Sequence, residues 1–344
     1  MFKAILARVV DGENLSRAEA EQAMDTIMSG QASEAQIGAF LTALRMKGET
    51  STEIAGFAAV MRKNAADIHC DSAQIVDTCG TGGDHKGTFN VSTTVAFILA
   101  GAGLTVAKHG NRGVSSKCGS ADVLAALGVN IDLPPQTVAK IINKINIGFL
   151  FAPFFHQAMK YAAKPRKELG FRTVFNLLGP ITNPARANCQ IVGVYDQKLT
   201  YKIAQALVEL GASRAMVVSS DDGMDEISTI APTRVVEVVS GQLRDYIIDP
   251  RDYGFAAARE ADFQGGDAEE NANIVRSILE GQQGPKRDLV LINAAAALMT
   301  ADKVTSLQDG LLMAAESIDT GAALAKLEAL RELSNKREEE LLSL

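Results

Sequence analysis

Two glycine-rich segments, Gly80-Thr81-Gly82-Gly83-Asp84 and Lys108-His109-Gly110-Asn111-Arg112-Gly113-Val114-Ser115-Ser116, each follow a short apolar run and precede a helical pattern. They stand about thirty residues apart, the span of one strand-helix-strand crossover, so the chain between them has little freedom to be anything else. Between them Thr88-Phe89-Asn90-Val91-Ser92-Thr93-Thr94 opens a helix with hydroxyls and an amide. Strand-to-helix turns stripped of bulk and rich in donors are what a chain builds where backbone N–H groups must wrap a polyphosphate.

A chain of 344 residues is long for one compact domain and predicts two. Its net charge of −7 and pI near 5.3 argue against a nucleic-acid binder. Local charge runs the other way, because Lys86, Lys108, Arg112 and Lys117 gather around the glycine segments. Cys70, Cys79, Cys118 and Cys189 are scattered, with neither metal spacing nor the density of a disulfide framework, which fits reduced thiols. Met1 to Val10 is too interrupted for a signal peptide, and the apolar stretch Val95 to Val106 falls short of the ~20 residues of a membrane span. These features predict a soluble cytoplasmic protein.

The segment to about residue 69 predicts a small all-helical domain. Ser16/Glu19, Ser33/Gln36 and Thr50/Glu53 are capping boxes, and behind them run the stripes Ala20/Ala23/Met24/Ile27, Ile37/Phe40/Leu41/Leu44 and Ile54/Phe57/Ala58/Met61. Gly30 and Gly48 stand at C-cap positions. Residues 70–344 predict a large α/β domain with a mainly parallel central sheet. Its strands are expected at Ile75–Cys79, Leu104–Lys108, Gly148–Phe151, Gln190–Tyr195 and Arg214–Val218, with helices at Thr93–Ala102 and, from a Ser cap, at Ser120–Leu127. Thr233 to Ile248, broken at Ser240-Gly241, reads as an antiparallel hairpin, and Leu289–Met299 and Leu307–Leu344 read as helical. An insertion at about 158–184 predicts two helices, His156–Leu169 and Arg172–Leu178, that pack back on the N-terminal ones.

The first glycine segment lacks the Gly-Lys-Ser/Thr ending of a Walker A loop and the acidic residue of a dinucleotide fingerprint; alone, it is most simply a tight turn capped by Asp84. In the second, Lys108 supplies a point charge and Arg112 a planar fork, a complementary pair for phosphate oxygens rather than a merely solvated loop. His109 reads as a neutral hydrogen-bonding group. The run Asp221-Asp222-Gly223-Met224-Asp225-Glu226 follows a strand and suits Mg²⁺, although a solvated turn is its default reading. Ser92 offers a hydroxyl ligand from the phosphate side. Arg166, near a helix start, suits a substrate carboxylate or a surface position equally.

Taken in order, Asp77–Asp84, Thr88–Thr93, Lys108–Ser116, Asn176–Pro184 and Asp222–Glu226 make the chain, nearly end to end, similar to the anthranilate phosphoribosyltransferase family, which shares its fold with nucleoside phosphorylases. The resemblance implies a hinged helical domain and α/β domain, a homodimer formed through the helical domain, and Mg²⁺ as cofactor. It implies transfer of the phosphoribosyl group of 5-phospho-α-D-ribose 1-diphosphate to the anthranilate amine. The products would be N-(5-phospho-β-D-ribosyl)anthranilate and pyrophosphate, a step of tryptophan biosynthesis.

Carried over motif by motif, it implies phosphoribosyl pyrophosphate contacts from Gly80, Gly83, Asp84, Asn90, Ser92, Thr93, Lys108, Ser116 and Ser120. The same stretches add Thr88, Val91, His109, Gly110, Asn111, Arg112, Gly113, Val114 and Ser115. Asn111 and Arg166, with Gly80 nearby, would hold anthranilate; Ser92, Asp225 and Glu226 would hold Mg²⁺; Lys108, Asp225 and Glu226 would act on the chemical step. Gln157 replaces a proline common in the family, and His85-Lys86-Gly87 after Asp84 is a mild departure. A pyrimidine nucleoside phosphorylase, whose relatives carry Lys-His-Ser at the second segment, and a nucleic-acid-binding homologue without catalysis are the rivals; neither calls for the Asp225-Glu226 pair.

Overall fold

The computed structural model describes residues 1–113 and 117–337, so the site expectations at Val114, Ser115 and Ser116 lie outside the described residues. Helix α1 (Phe2–Val10) precedes α2 (Arg17–Met28), α3 (Glu34–Lys47) and α4 (Ser51–Lys63). The last three start as their capping boxes require: Ser16, Ser33 and Thr50 accept from the backbone N–H of Glu19, Gln36 and Glu53. Helix α1 is an addition to the three expected, and its buried Phe2, Ile5 and Val9 carry the spacing that reveals it. The Glu53 carboxylate is fully buried and accepts from Leu15 N at 2.8 Å, Thr50 N at 2.8 Å and Lys47 Nζ at 2.9 Å. One side chain thus fixes two loops of the bundle.

The chain then alternates: β1 (Val76–Asp77), α5 (Val91–Gly101), β2 (Val106–Gly110), α6 (Ser120–Ala126), α7 (Pro135–Ile145) and β3 (Ile147–Phe151). Three helices follow, α8 (Ala152–Phe155), α9 (Lys160–Leu169) and α10 (Val174–Leu178), before β4 (Cys189–Gly193), α11 (Lys198–Glu209) and β5 (Arg214–Ser220). The hairpin β6 (Thr233–Val239) and β7 (Gln242–Ile248) turns at Ser240 and Gly241, both with positive φ. Helices α12 (Ala268–Leu279), α13 (Pro285–Thr300), α14 (Leu307–Asp319) and α15 (Ala322–Ser334) complete the described chain.

The seven strands form one sheet in the order β3-β2-β1-β4-β5-β6-β7, parallel from β3 to β5 and antiparallel beyond. Successive strand residues serve two cores. Cys189, Ile191, Met216 and Val218 join the core with α5, α13, α14 and α15, whereas Val192, Val194, Ala215 and Val217 join the core shared with the N-terminal helices. Val174, Phe175, Leu177 and Leu178 of α10 are buried in that second core, and α9 touches α2 and α3.

Several expected boundaries move. Strand β1 stops at Asp77, since the following residues leave the sheet to form the first glycine loop. Strand β2 runs two residues further than expected, in register with β3 as far as Gly110 opposite Phe151. Lys108 is a buried strand residue as expected, and His109 joins it in the strand instead of starting the loop. Gly119, not Ser120, caps α6, and its N–H is met by Asp122 at 2.9 Å. The expected C-terminal helix splits where Gly321 takes φ 75°. Helices α7 and α12 occupy stretches that the strand pattern left unassigned.

Removing the Glu53 carboxylate should leave two backbone donors unpaired and take from buried Lys47 its counter-charge. Glu53→Ala is expected to cost about 3 kcal/mol in chemical denaturation; a loss below about 1 kcal/mol would show that the carboxylate does not hold the bundle loops.

Candidate active site

Strand order fixes where a ligand can go. The chain moves outward from β1 to β2 and β3, then returns to place β4 on the other side of β1. Open α/β sheets bind ligands at such a switch, outside the carboxyl ends of the diverging strands. A crevice is found there, lined by Thr78, Gly80, Ser92, Gly193, Asp225 and Glu226.

Its floor requires glycine. Gly193 packs so closely on the acidic segment that a Cβ would lie 1.5 Å from the Asp225 carbonyl oxygen. A Cβ on Gly80 would meet the Gly193 carbonyl at 3.1 Å and Asp225 Oδ2 at 3.3 Å. The Gly193 carbonyl also accepts from Thr81 N at 2.8 Å, which pins the first glycine loop to the end of β4. Gly82 and Gly83, both at positive φ, allow the reversal.

The acidic run divides by role. Asp221 accepts from Gln197 at 2.6 Å, and Asp222 accepts from Met224 N and Ser228 Oγ, so these two shape the turn. Asp225 and Glu226 line the crevice. Buried Asn293 of α13 anchors them by bonding both the N–H and the carbonyl of Ile227 at 2.9 Å. Burial, followed by the Asp84 carboxylate beside it, pushes the Asp225 carboxyl up to about 7. Burial and then Asp225 push Glu226 well above the usual carboxylate range, with Lys108 partly opposing. Oδ2 of Asp84 is buried without a donor unless a protonated Asp225 supplies one. Three crowded acids, one with an orphaned oxygen, form a donor set that a hard divalent cation fits.

The opposite wall is the first turn of α5. Asn90 is its N-cap, but the amide does not cap; it accepts from Asn271 Nδ2 at 2.9 Å and donates to the Cys118 carbonyl at 3.4 Å. Val91 is buried, Ser92 faces the crevice, and the buried Thr93 hydroxyl has no partner among the described residues. Thr88 bridges to Gln264, holding the far end of the glycine loop.

Lys108 enters from β2 and donates to the His109 carbonyl at 3.4 Å. His109 is fixed twice: its N–H donates to Asp77 Oδ1 at 3.2 Å, and Nδ1 lies 3.1 Å from the Gly179 carbonyl. Burial and the neighbouring His156 ring, 5.2 Å away between centroids, push its pKa down to about 3, so it is neutral. Asp77, buried, also accepts from Asn183 Nδ2 at 2.7 Å, tying β1 to the Asn176–Pro184 segment. Asp77 and Asn183 lie in the sequence motifs but take no role from them, and no pattern singles out Gly193 or Asn293; the importance of all four comes from contacts distant in the chain.

Beyond β2 the second segment is more committed than its composition suggests. Arg112 pairs with Asp122 at 3.0 Å and lies over the Phe151 ring, and Gly113 N donates to Asp122 at 2.8 Å. Asn111 is exposed, and its carbonyl accepts from Ser120 Oγ at 3.3 Å. A Cβ on Gly110 would fall 2.1 Å from that hydroxyl. Arg166 is half-buried on α9 over the Phe175 ring at 5.0 Å, and burial lowers its pKa. Among the described residues it has no carboxylate partner.

A doubly wound sheet with a glycine-floored, carboxylate-lined crevice at its switch point, joined to a helical bundle, defines a class of transferase fold. The family model described as "Glycosyl transferase family, a/b domain" matches residues 72–324, and that described as "Glycosyl transferase family, helical bundle domain" matches residues 3–65. The chain belongs to this glycosyl transferase family. It is 55% identical over 330 residues to the anthranilate phosphoribosyltransferase of Moorella thermoacetica, covering 96% of this chain and 97% of that one. To the enzyme of the same name from Methanocorpusculum labreanum it is 56% identical over 335 residues, covering 97% and 98%. The crystal structure of the Thermus thermophilus anthranilate phosphoribosyltransferase superposes with a TM-score of 0.92 at 40% identity, over 96% of this chain and 99% of that one. The Saccharomyces cerevisiae enzyme, in complex with PRPP and Mg, superposes with a TM-score of 0.89 at 29% identity, over 97% of each chain.

Gly193→Ala should drive the acidic segment off β4. The expected result is a thermal transition lowered by several degrees, equivalent to about 2 kcal/mol or more. An unchanged transition would show that the close approach is not needed.

Proposed function

We propose that this chain is an anthranilate phosphoribosyltransferase: it transfers the phosphoribosyl group of 5-phospho-α-D-ribose 1-diphosphate to the amine of anthranilate, releasing pyrophosphate. One observation carries the reading. At the sheet's switch point Asp225 and Glu226 share a crevice with Ser92 at the start of α5, and Asp84 lies beside Asp225, an arrangement suited to a diphosphate and its counter-cation. The high identity to named relatives supports the acceptor. We place the reaction in tryptophan biosynthesis in the cytoplasm and expect a homodimer. We also draw the domain boundary near residue 69, with the helices near 158–184 counted with the N-terminal bundle.

Two sets of residues divide the substrate. The backbone of Gly80–Asp84, the turn Thr88–Thr93, Lys108 and the segment to Ser120 take phosphoribosyl pyrophosphate. Arg166 and Asn111 take anthranilate, the guanidinium meeting its carboxylate, with Gly80 beside both substrates. Ser92, Asp225 and Glu226, with Asp84 behind them, would hold Mg²⁺, which when bound supplies positive charge against the departing diphosphate. The C1–O bond to diphosphate breaks as the C1–N bond forms, and the new ammonium then loses a proton. Lys108 adds fixed positive charge as the leaving group separates. His109, neutral and held by Gly179, orients the site without accepting that proton. Among the described residues no helix is long and apolar enough to cross a membrane.

Incubation with both substrates should consume anthranilate fluorescence, and EDTA should stop the loss. Phosphorolysis of thymidine with no anthranilate consumption would transfer the chain to the nucleoside phosphorylases instead. Arg166→Ala should raise KM for anthranilate about tenfold or more, as loss of a charge-assisted pair does; an unchanged KM removes it from the acceptor site.

The acids give a pH dependence. Asp225 is raised to about 7 from an ordinary value near 3.8, so the stability it contributes is full below that ordinary value and fades as pH climbs through about 7. Mg²⁺ needs the ionised form. Calorimetric scans should therefore show Mg²⁺ raising the transition more at pH 8 than at pH 6, and Asp225→Asn should flatten the difference. An equal increment at both pH values would remove Asp225 from the metal site.

A further inference from the structure

Arg172 stands out because it is committed to the substrate loop rather than to any carboxylate. It stands two residues before α10, which is buried against the N-terminal bundle, yet its guanidinium reaches across to the α/β domain. Nη2 donates to the Gly83 carbonyl and lies 2.7 Å from His85 Nε2, while the planar group covers the Tyr195 ring at 4.1 Å. A Cβ on Gly83 would meet Arg172 at 3.0 Å. Among the described residues Arg172 forms no ion pair.

The loop it touches is tied to the α/β domain at both ends, through Thr81 to the Gly193 carbonyl and through its later residues, and is gripped in its middle by Arg172. Its later residues are bound within the α/β domain, where Gly265 N donates to the Gly87 carbonyl at 2.9 Å and Gln264 Nε2 to the Lys86 carbonyl at 2.8 Å. Its earlier residues, with left-handed backbone at Gly82, Gly83 and His85, bring the Asp84 carboxylate up to Asp225 against like-charge repulsion. A guanidinium whose Nη2 meets both the Gly83 carbonyl and His85 Nε2 opposes that repulsion, and stacking on Tyr195 holds its plane in place.

We infer that Arg172 is a positioning residue: a latch from the helical side that holds Gly83 and Asp84 in the geometry that receives the diphosphate sugar and its cation, without itself touching the substrate. The inference rests on the function proposed above. It adds that the bundle governs donor binding through one side chain.

The test compares Arg172→Ala and Arg172→Lys with the wild type in steady-state kinetics, alongside amide exchange of the loop. For Arg172→Ala, KM for phosphoribosyl pyrophosphate should rise about tenfold while kcat changes less than about twofold, because the loss falls on ground-state and transition-state binding alike. Arg172→Lys can keep a donor to the Gly83 carbonyl but not the planar group stacked on Tyr195, so it should fall between the two. Exchange should quicken at Gly82–His85 and stay unchanged at Phe89, whose N–H is bonded to the Phe263 carbonyl. Wild-type protein that shows no KM for phosphoribosyl pyrophosphate would sink the functional reading itself. With an active wild type, an unchanged KM in Arg172→Ala overturns the latch. So does a fall in kcat alone, which would put Arg172 in the chemical step, and so does faster exchange spread over the whole domain, which would make it ordinary packing.

Discussion

Three carboxyl groups, those of Asp84, Asp225 and Glu226, sit side by side in a half-buried crevice, and the surrounding fold is arranged to keep them there. Left to electrostatics alone they would separate or take up protons. The bare Cα of Gly193 lets the acidic segment lie on the end of β4, and Asn293 clamps it from α13. The glycine loop is tied to β4 through Thr81 and to the 260–265 segment through Gly87. The repulsion stored here is the attraction that a divalent cation and a diphosphate would satisfy.

The rest of the architecture delivers these groups to one point. Parallel β1 and β4 bring the glycine loop and Gly193 together, β5 sends out the acidic run, and β2 brings Lys108. Alternation along β4 and β5 then feeds two cores, one shared with the C-terminal helices and one with the N-terminal bundle. The Asn176–Pro184 segment binds into the same centre through Asn183 to Asp77 and through Gly179 to His109. A movement of the bundle and its inserted helices would therefore be felt at the substrate loops.

Much of this was legible in the sequence because the signals are local. Capping boxes at Ser16, Ser33 and Thr50 started helices as expected, Ser240-Gly241 made the hairpin turn, and the parallel α/β class followed from apolar runs between helical patterns. Other features were out of reach for physical reasons. The end of β2 depends on pairing with β3, about forty residues on, so the strand reads as ending at Lys108 when His109 and Gly110 continue it. The pairing of Arg112 with Asp122 and its place over the Phe151 ring carry no local signal, because those partners lie ten and about forty residues on. Gly193 carries no motif at all, and only the approach of Asp225 explains it.

Titrating phosphoribosyl pyrophosphate into the protein in a calorimeter, once with Mg²⁺ and once with EDTA, addresses the carboxylate crevice most directly. Saturable heat with the cation, lost when the metal is chelated and lost again in Glu226→Gln, is the result expected of a diphosphate site built around these acids. Equal binding in both buffers, or binding that survives Glu226→Gln unchanged, would mean that the acids of the switch point serve some other purpose.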